Sequence, residues 1–124
     1  FLFNASCVAL NGHLFPAPKD FSWEDSDVVS AYFDALPLAA FLIVLVAHLG
    51  QSFFGGYVAG RISKDCVMMV AMIVGGLSLV GGIMNFMWLP LPTWMLIEMP
   101  LYLIVAWWAG NIAMKKRGTN TTVV

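Results

Sequence analysis

Two side chains of this chain could carry chemistry inside a membrane, His48 and Glu98. His48 stands in a long apolar run, with Asp34 on one side and Arg61 on the other, fourteen and thirteen positions away. That spacing puts it near the middle of a bilayer-spanning helix. An ionisable group at such depth is costly, and it faces the interior of a bundle or a cavity. A histidine there can relay a proton, bind a metal, act as axial ligand to a pigment or haem, or satisfy itself with one hydrogen bond between helices. A metal site needs several His, Cys or carboxylate ligands. The only other histidine, His13, falls outside the long apolar runs, so no metal site is expected. His48 remains the one candidate cofactor ligand, and nothing in the sequence says which cofactor it would hold.

Glu98 is the only acid within the apolar runs. It follows Thr93 by five residues, a depth of about 8 Å at the rise of an α-helix. Pro100 removes a backbone donor beside it and frees the Leu96 carbonyl. Glu98 is therefore expected to be shallower than His48 and level with Asn85. It can stabilise the positive end of its own helix and bond to Asn85 or a tryptophan donor. Alternatively, it is a protonatable group in a cavity open to the outer face. Gln51 and Ser52 complete the intramembrane polar set. Ser52 lies one turn after His48, the only close pairing of a nucleophile with a base. Such pairs in membranes serve helix packing, so an enzyme is not expected.

The elements that must position these groups are three apolar stretches, 36–60, 67–89 and 96–114. Each is long enough to cross a bilayer as a helix. The composition agrees, with 60% apolar residues, 10% charged residues and a mean hydropathy of +0.84. Soluble domains run near half apolar and a quarter charged. The net charge of −1 and the lack of a basic patch argue against a nucleic-acid partner.

Positive residues collect in cytoplasmic loops. Arg61 and Lys64 fall between the first two stretches, and Lys115, Lys116 and Arg117 follow the third. Two crossings separate the clusters, so both are expected in the cytoplasm. Asp20, Glu24, Asp25, Asp27 and Asp34 then fall outside with the turn Leu89-Pro90-Leu91-Pro92. Residues 1–10 read as the outer end of an earlier helix. The expected fold is all-α, a polytopic transmembrane bundle of four crossings with the first only partly present. Its segments are 1–10, an outer loop over 11–34, spans at about 35–61, 67–89 and 94–114, and a basic cytoplasmic tail over 115–124. Localisation in a bacterial inner membrane follows from this reading.

Within the outer loop, Ser22 is expected to cap a short amphipathic helix that presents Val28, Val29, Tyr32, Phe33 and Leu36 and leads into the first span. Trp23, Trp88 and Trp94 suit an outer aromatic belt, and Trp107 and Trp108 lie toward the inner one. Residues 118–124 read as disordered. The acceptor patterns at Asn4 and Asn120 are read as chance. Cys7 and Cys66 lie at opposite faces, so no disulfide is expected.

The first span carries His48, Ser52, Gly56 and Gly60 at four-residue steps, with Gln51, Gly55 and Ala59 beside them. The second carries Ala71, Gly75, Ser78, Gly82 and Asn85 at alternating steps of four and three. Small residues let helices approach closely in lipid. The two stripes are expected to face each other, and Phe41, Leu45, Leu49 and Phe53 to face lipid.

Three blocks resemble a family of uncharacterised bacterial four-helix integral membrane proteins. They are Ala47-His48-Leu49-Gly50-Gln51 with Gly55-Gly56 and Ala59; Ile73-Val74-Gly75-Gly76-Leu77 continuing to Gly81-Gly82-Ile83; and Leu89-Pro90-Leu91-Pro92-Thr93-Trp94 followed by Glu98 and Leu101-Tyr102. The likeness covers about residues 4–110. In that family the position of His48 is a histidine and that of Glu98 is usually a shorter acid. The resemblance implies the four-helix fold and the two polar positions. It brings no activity with it.

With no catalytic motif and many packing glycines, the expected role is a non-catalytic accessory or structural subunit of a larger, energy-converting membrane complex. Its partners would be membrane lipids and other membrane subunits. The alternative is a small oligomeric proton-coupled transporter or channel that uses Glu98, His48 or both.

Overall fold

The computed structural model describes residues 1–120, and these are almost entirely helical. The helices are α1 (Leu2–Leu14), α2 (Ser26–Ala35), α3 (Leu38–Ile62), α4 (Val67–Trp88) and α5 (Glu98–Asn120), with a 3-10 turn, Thr93–Ile97, before α5. Three segments are long and apolar enough to cross a membrane: Leu38–Ile62, Val67–Trp88 and Thr93–Lys116, of 25, 22 and 24 residues. No strand occurs among the described residues.

Proline and capping residues set the boundaries. Pro37 pushes Leu36 out of the helical region, to φ −69° and ψ 134°, so α2 ends and α3 begins anew at Leu38. The short helix does not run on into the span. Its cap is Asp25, not Ser22: the Asp25 carboxylate accepts from the Asp27 and Val28 amides at 3.0 and 3.3 Å. Ser22 instead accepts from the Glu24 amide at 3.3 Å in the preceding turn. The apolar face of α2 is as expected, with Val29 buried. α1 reaches Leu14, four residues beyond the expected boundary at residue 10, because nothing disfavours helix until Phe15 meets Pro16. At the other end α5 continues to Asn120, through the first residues of the segment expected to be disordered. The rest of that tail and the last residues of the Asn120 acceptor pattern, 121–124, lie outside the described residues. Both cysteines are free.

α3, α4 and α5 pack against one another, and α1 packs on α3. Phe3 of α1 lies over Gly50, and its ring centroid stands 5.2 Å from that of Phe54. The Tyr32 hydroxyl donates to the Phe15 carbonyl at 2.8 Å and ties α2 to the end of α1. Phe41 does not face open surroundings. It is buried between the Phe33 ring at 6.4 Å and the Trp94 ring at 6.3 Å. Leu45, Leu49 and Phe53 are half-buried, and the exposed row of α3 is Leu42, Val46, Phe54 and Val58. The five tryptophans are exposed on the surface of the bundle.

The small-residue stripe of α4 meets α5, and that of α3 is shared between α4 and α5. A methyl group built on Gly75 would lie 2.5 Å from the Ala106 Cβ, and one on Gly82 would lie 2.6 Å from the Tyr102 ring. On α3, one on Gly60 would lie 3.2 Å from the Ala113 Cβ, and one on Gly56 3.6 Å from the Ala109 Cβ. Direct contacts between α3 and α4 occur as closely, at Gly55 against Val74, at Gly56 against the Ala71 carbonyl, and at Gly60 against the Val67 side chain at 3.1 Å. The reason lies in α5. Met95, Glu98, Tyr102, Ala106, Ala109 and Ala113 are all buried at steps of three and four residues, and they form a third inward face, small toward its end.

Candidate functional site

His48 and Glu98 come together. The His48 Nδ1 lies 3.3 Å from the Glu98 Oε2, and Glu98 is fully buried. Counting residues from the ends of the apolar runs puts the two at different depths and matches Glu98 to Asn85. Helix starts and helix type explain the difference. α3 begins at Leu38, so His48 is about 15 Å in. Glu98 follows a five-residue 3-10 turn with a steeper rise, about 10 Å in all. The remaining gap of about 5 Å is within the span of two long side chains. Glu98 also opens α5, as expected of an acid at the positive end of a helix.

The second carboxylate oxygen, Oε1, is buried and has no hydrogen-bond partner among the described residues. One turn on, the Tyr102 ring stands 6.4 Å from the His48 ring. Ser52 is fully buried and donates to the Tyr102 carbonyl at 3.2 Å. The Ser52 hydroxyl is therefore engaged with α5 backbone, in the packing role its spacing suggested.

The other polar residues line a cavity of about 490 Å³ between α1, α3, α4 and α5. Asn4, His48, Gln51, Ser78, Asn85 and Tyr102 supply its polar surface. α1 packs on α3, and Phe1 and Asn4 at its start form the side of the cavity opposite α4. A second cavity of about 480 Å³ lies toward α2 and shares His48 and Asn85 with the first. Gly75, Gly56 and Gly60 lie in the packed seams and take no part in either cavity, whereas Gly55 and Gly82 line the first.

The pair can do proton chemistry. One proton between Nδ1 and Oε2 satisfies the contact, whether the imidazole N–H donates or a carboxylic acid does. A neutral imidazole beside a carboxylate leaves one buried negative charge, and a further proton neutralises the pair. Membranes penalise net charge at such depth. Among the described residues no group of three His, Cys, Asp or Glu side chains could hold a metal ion.

Sequence reasoning gave Tyr102 no role and missed the alanine face of α5, although the steps from Met95 to Ala113 were legible. It also missed the polar roles of Asn4 and Asn11, whose helix was too short a fragment to show a face. Comparisons with family models, with curated proteins and with solved structures returned no match to this chain.

Proposed function

We propose that this chain is a small proton-coupled membrane transporter or channel in which His48 and Glu98 bind the proton together. The observation that carries the reading is the buried His48–Glu98 contact, with one carboxylate oxygen unpartnered, beside a polar cavity. Buried carboxylates are expensive in lipid and mark ion and proton pathways. The positive-inside pattern supports a bacterial inner-membrane orientation with residues 11–34 outside and the basic tail in the cytoplasm. The packing of α1 along α3 supports a four-crossing bundle like that of the resembling family, with α1 belonging to the first crossing.

The test is proton movement into liposomes reconstituted with the whole chain, under an imposed pH gradient and a clamped membrane potential. An internal pH dye should report dissipation faster than in protein-free liposomes. Glu98→Gln should fall to the protein-free rate with helix content unchanged. A wild-type rate equal to the protein-free rate would remove the reading.

The second reading is the accessory subunit of a larger membrane complex, without catalysis of its own. The many large apolar side chains exposed on the spans favour it, among them Trp107, Trp108, Leu77 and Met87, since neighbouring helices could cover them. Affinity capture of the tagged chain from gently extracted native membranes, followed by mass spectrometry, should then yield stoichiometric membrane partners. A homo-oligomer without partners would exclude it.

A further inference from the structure

The cavity toward α2 has a different character from the polar one. Its volume of about 480 Å³ lies within the range of small-molecule pockets, which are mostly apolar with a few convergent polar groups. Phe21, Tyr32, Phe33 and Phe41 run ring to ring along its wall, with centroids 5.0, 5.7 and 6.4 Å apart. Polar atoms are few. Asn11, on α1, lines the cavity, and its Oδ1 is buried with no hydrogen-bond partner among the described residues. The Asn11 side chain makes no hydrogen bond among the described residues, so its amide is available to a ligand. His48 borders the same space. Its Nδ1 is engaged with Glu98, which leaves Nε2 as its remaining polar atom.

A charged ligand would have no free counter-ion in such a wall, because Glu98 is already engaged and does not line it. A purely apolar ligand would leave Asn11 unsatisfied, and a buried amide without a partner is costly. The chemistry that satisfies both conditions is a flat apolar ring with one hydroxyl. We propose that this cavity binds a neutral aromatic lipophile bearing a hydroxyl group, with the ring against the aromatic wall and the hydroxyl hydrogen-bonded to the Asn11 amide. The site does not rest on proton transport by the His48–Glu98 pair.

Two probes of nearly equal apolar area, 2-naphthol and naphthalene, separate the hydroxyl from the ring. Each is dialysed to equilibrium against the whole chain in lipid nanodiscs, with protein-free nanodiscs subtracted. Saturable binding is expected for both, with 2-naphthol about tenfold tighter, the equivalent of one net hydrogen bond. Asn11→Ala should bring 2-naphthol down to the naphthalene level and leave naphthalene unchanged. Equal affinity for the two probes, a preference for 2-naphthol that survives Asn11→Ala, or absence of saturable binding would each overturn the assignment. Proton flux with Glu98→Gln is a separate readout, so failure of one reading is distinguishable from failure of the other.

Discussion

Replacing His48 by leucine should destabilise the bundle by more than a lost hydrogen bond. A hydrogen bond between membrane helices contributes about 0.6 kcal/mol on average and rarely above about 1.7. His48→Leu does something further: it leaves Glu98, fully buried, without its imidazole partner. Orphaning one member of a buried charged pair costs about 3–5 kcal/mol. The expected loss is therefore about 3 kcal/mol. The double variant His48→Leu/Glu98→Leu removes both polar groups and should recover most of that loss, since well-packed apolar replacements of a buried pair are near neutral. The assay is reversible unfolding in bicelles by titration with a denaturing detergent, for wild type, both single variants and the double variant. The double-mutant cycle then isolates the pair. A His48→Leu loss below about 1 kcal/mol, with the double variant simply additive, would refute the buried contact.

Other expectations follow from the packing. Gly75→Ala would place a methyl group 2.5 Å from Ala106 and 3.2 Å from the Tyr102 carbonyl, whereas on Gly56 the nearest atoms lie at 3.6 Å. In the same unfolding assay Gly75→Ala should cost about 1–3 kcal/mol and Gly56→Ala should stay near wild type; equal effects would contradict the close approach of α4 to α5 at Gly75. Ser52→Ala loses the bond to the Tyr102 carbonyl and should cost about 0.6–1.7 kcal/mol, with no change in proton flux in liposomes. Asp25→Ala removes the cap of α2 and should weaken that helix by about 1 kcal/mol, seen as faster hydrogen exchange of the Asp27 and Val28 amides and no change in the amides of α5.

The three long helices are legible in the sequence because each is a continuous apolar run that no other fold class explains. Their contents are legible too: His48, Ser52, Glu98 and the glycines all stand out as inward or packing residues. Their partners are not. A helical pattern says which face is buried, and it is silent about which neighbour covers that face. Two small-residue stripes invite pairing with each other because the third, on α5, is made of alanines, which look like ordinary helix formers. The His48–Glu98 contact is hidden for a metrical reason. A start at Leu38 and a 3-10 turn before Glu98 shift the two depths toward each other, and neither feature is written in hydropathy. Ser22 and Asp25 are both good caps, and local composition does not rank them.

The two halves of the bundle are built differently, and this bears on what the buried pair can do. Toward the basic end, Gly56 and Gly60 close on Ala109 and Ala113, and Val67 fills the space beside them. Such seams of Gly and Ala bring backbones together where no hydrophobic effect between helices is available. Toward the other end stand α1, α2 and the larger side chains of Phe41, Met95 and Tyr102, and both cavities lie there. His48 and Asn85 stand at their junction. If the pair carries a proton as proposed, the cavities put its entry at the end that carries α2, and passage onward would need the Gly56–Ala109 and Gly60–Ala113 seam to part. Close packing on one side of the pair and open volume on the other make that seam the place where a gate would act.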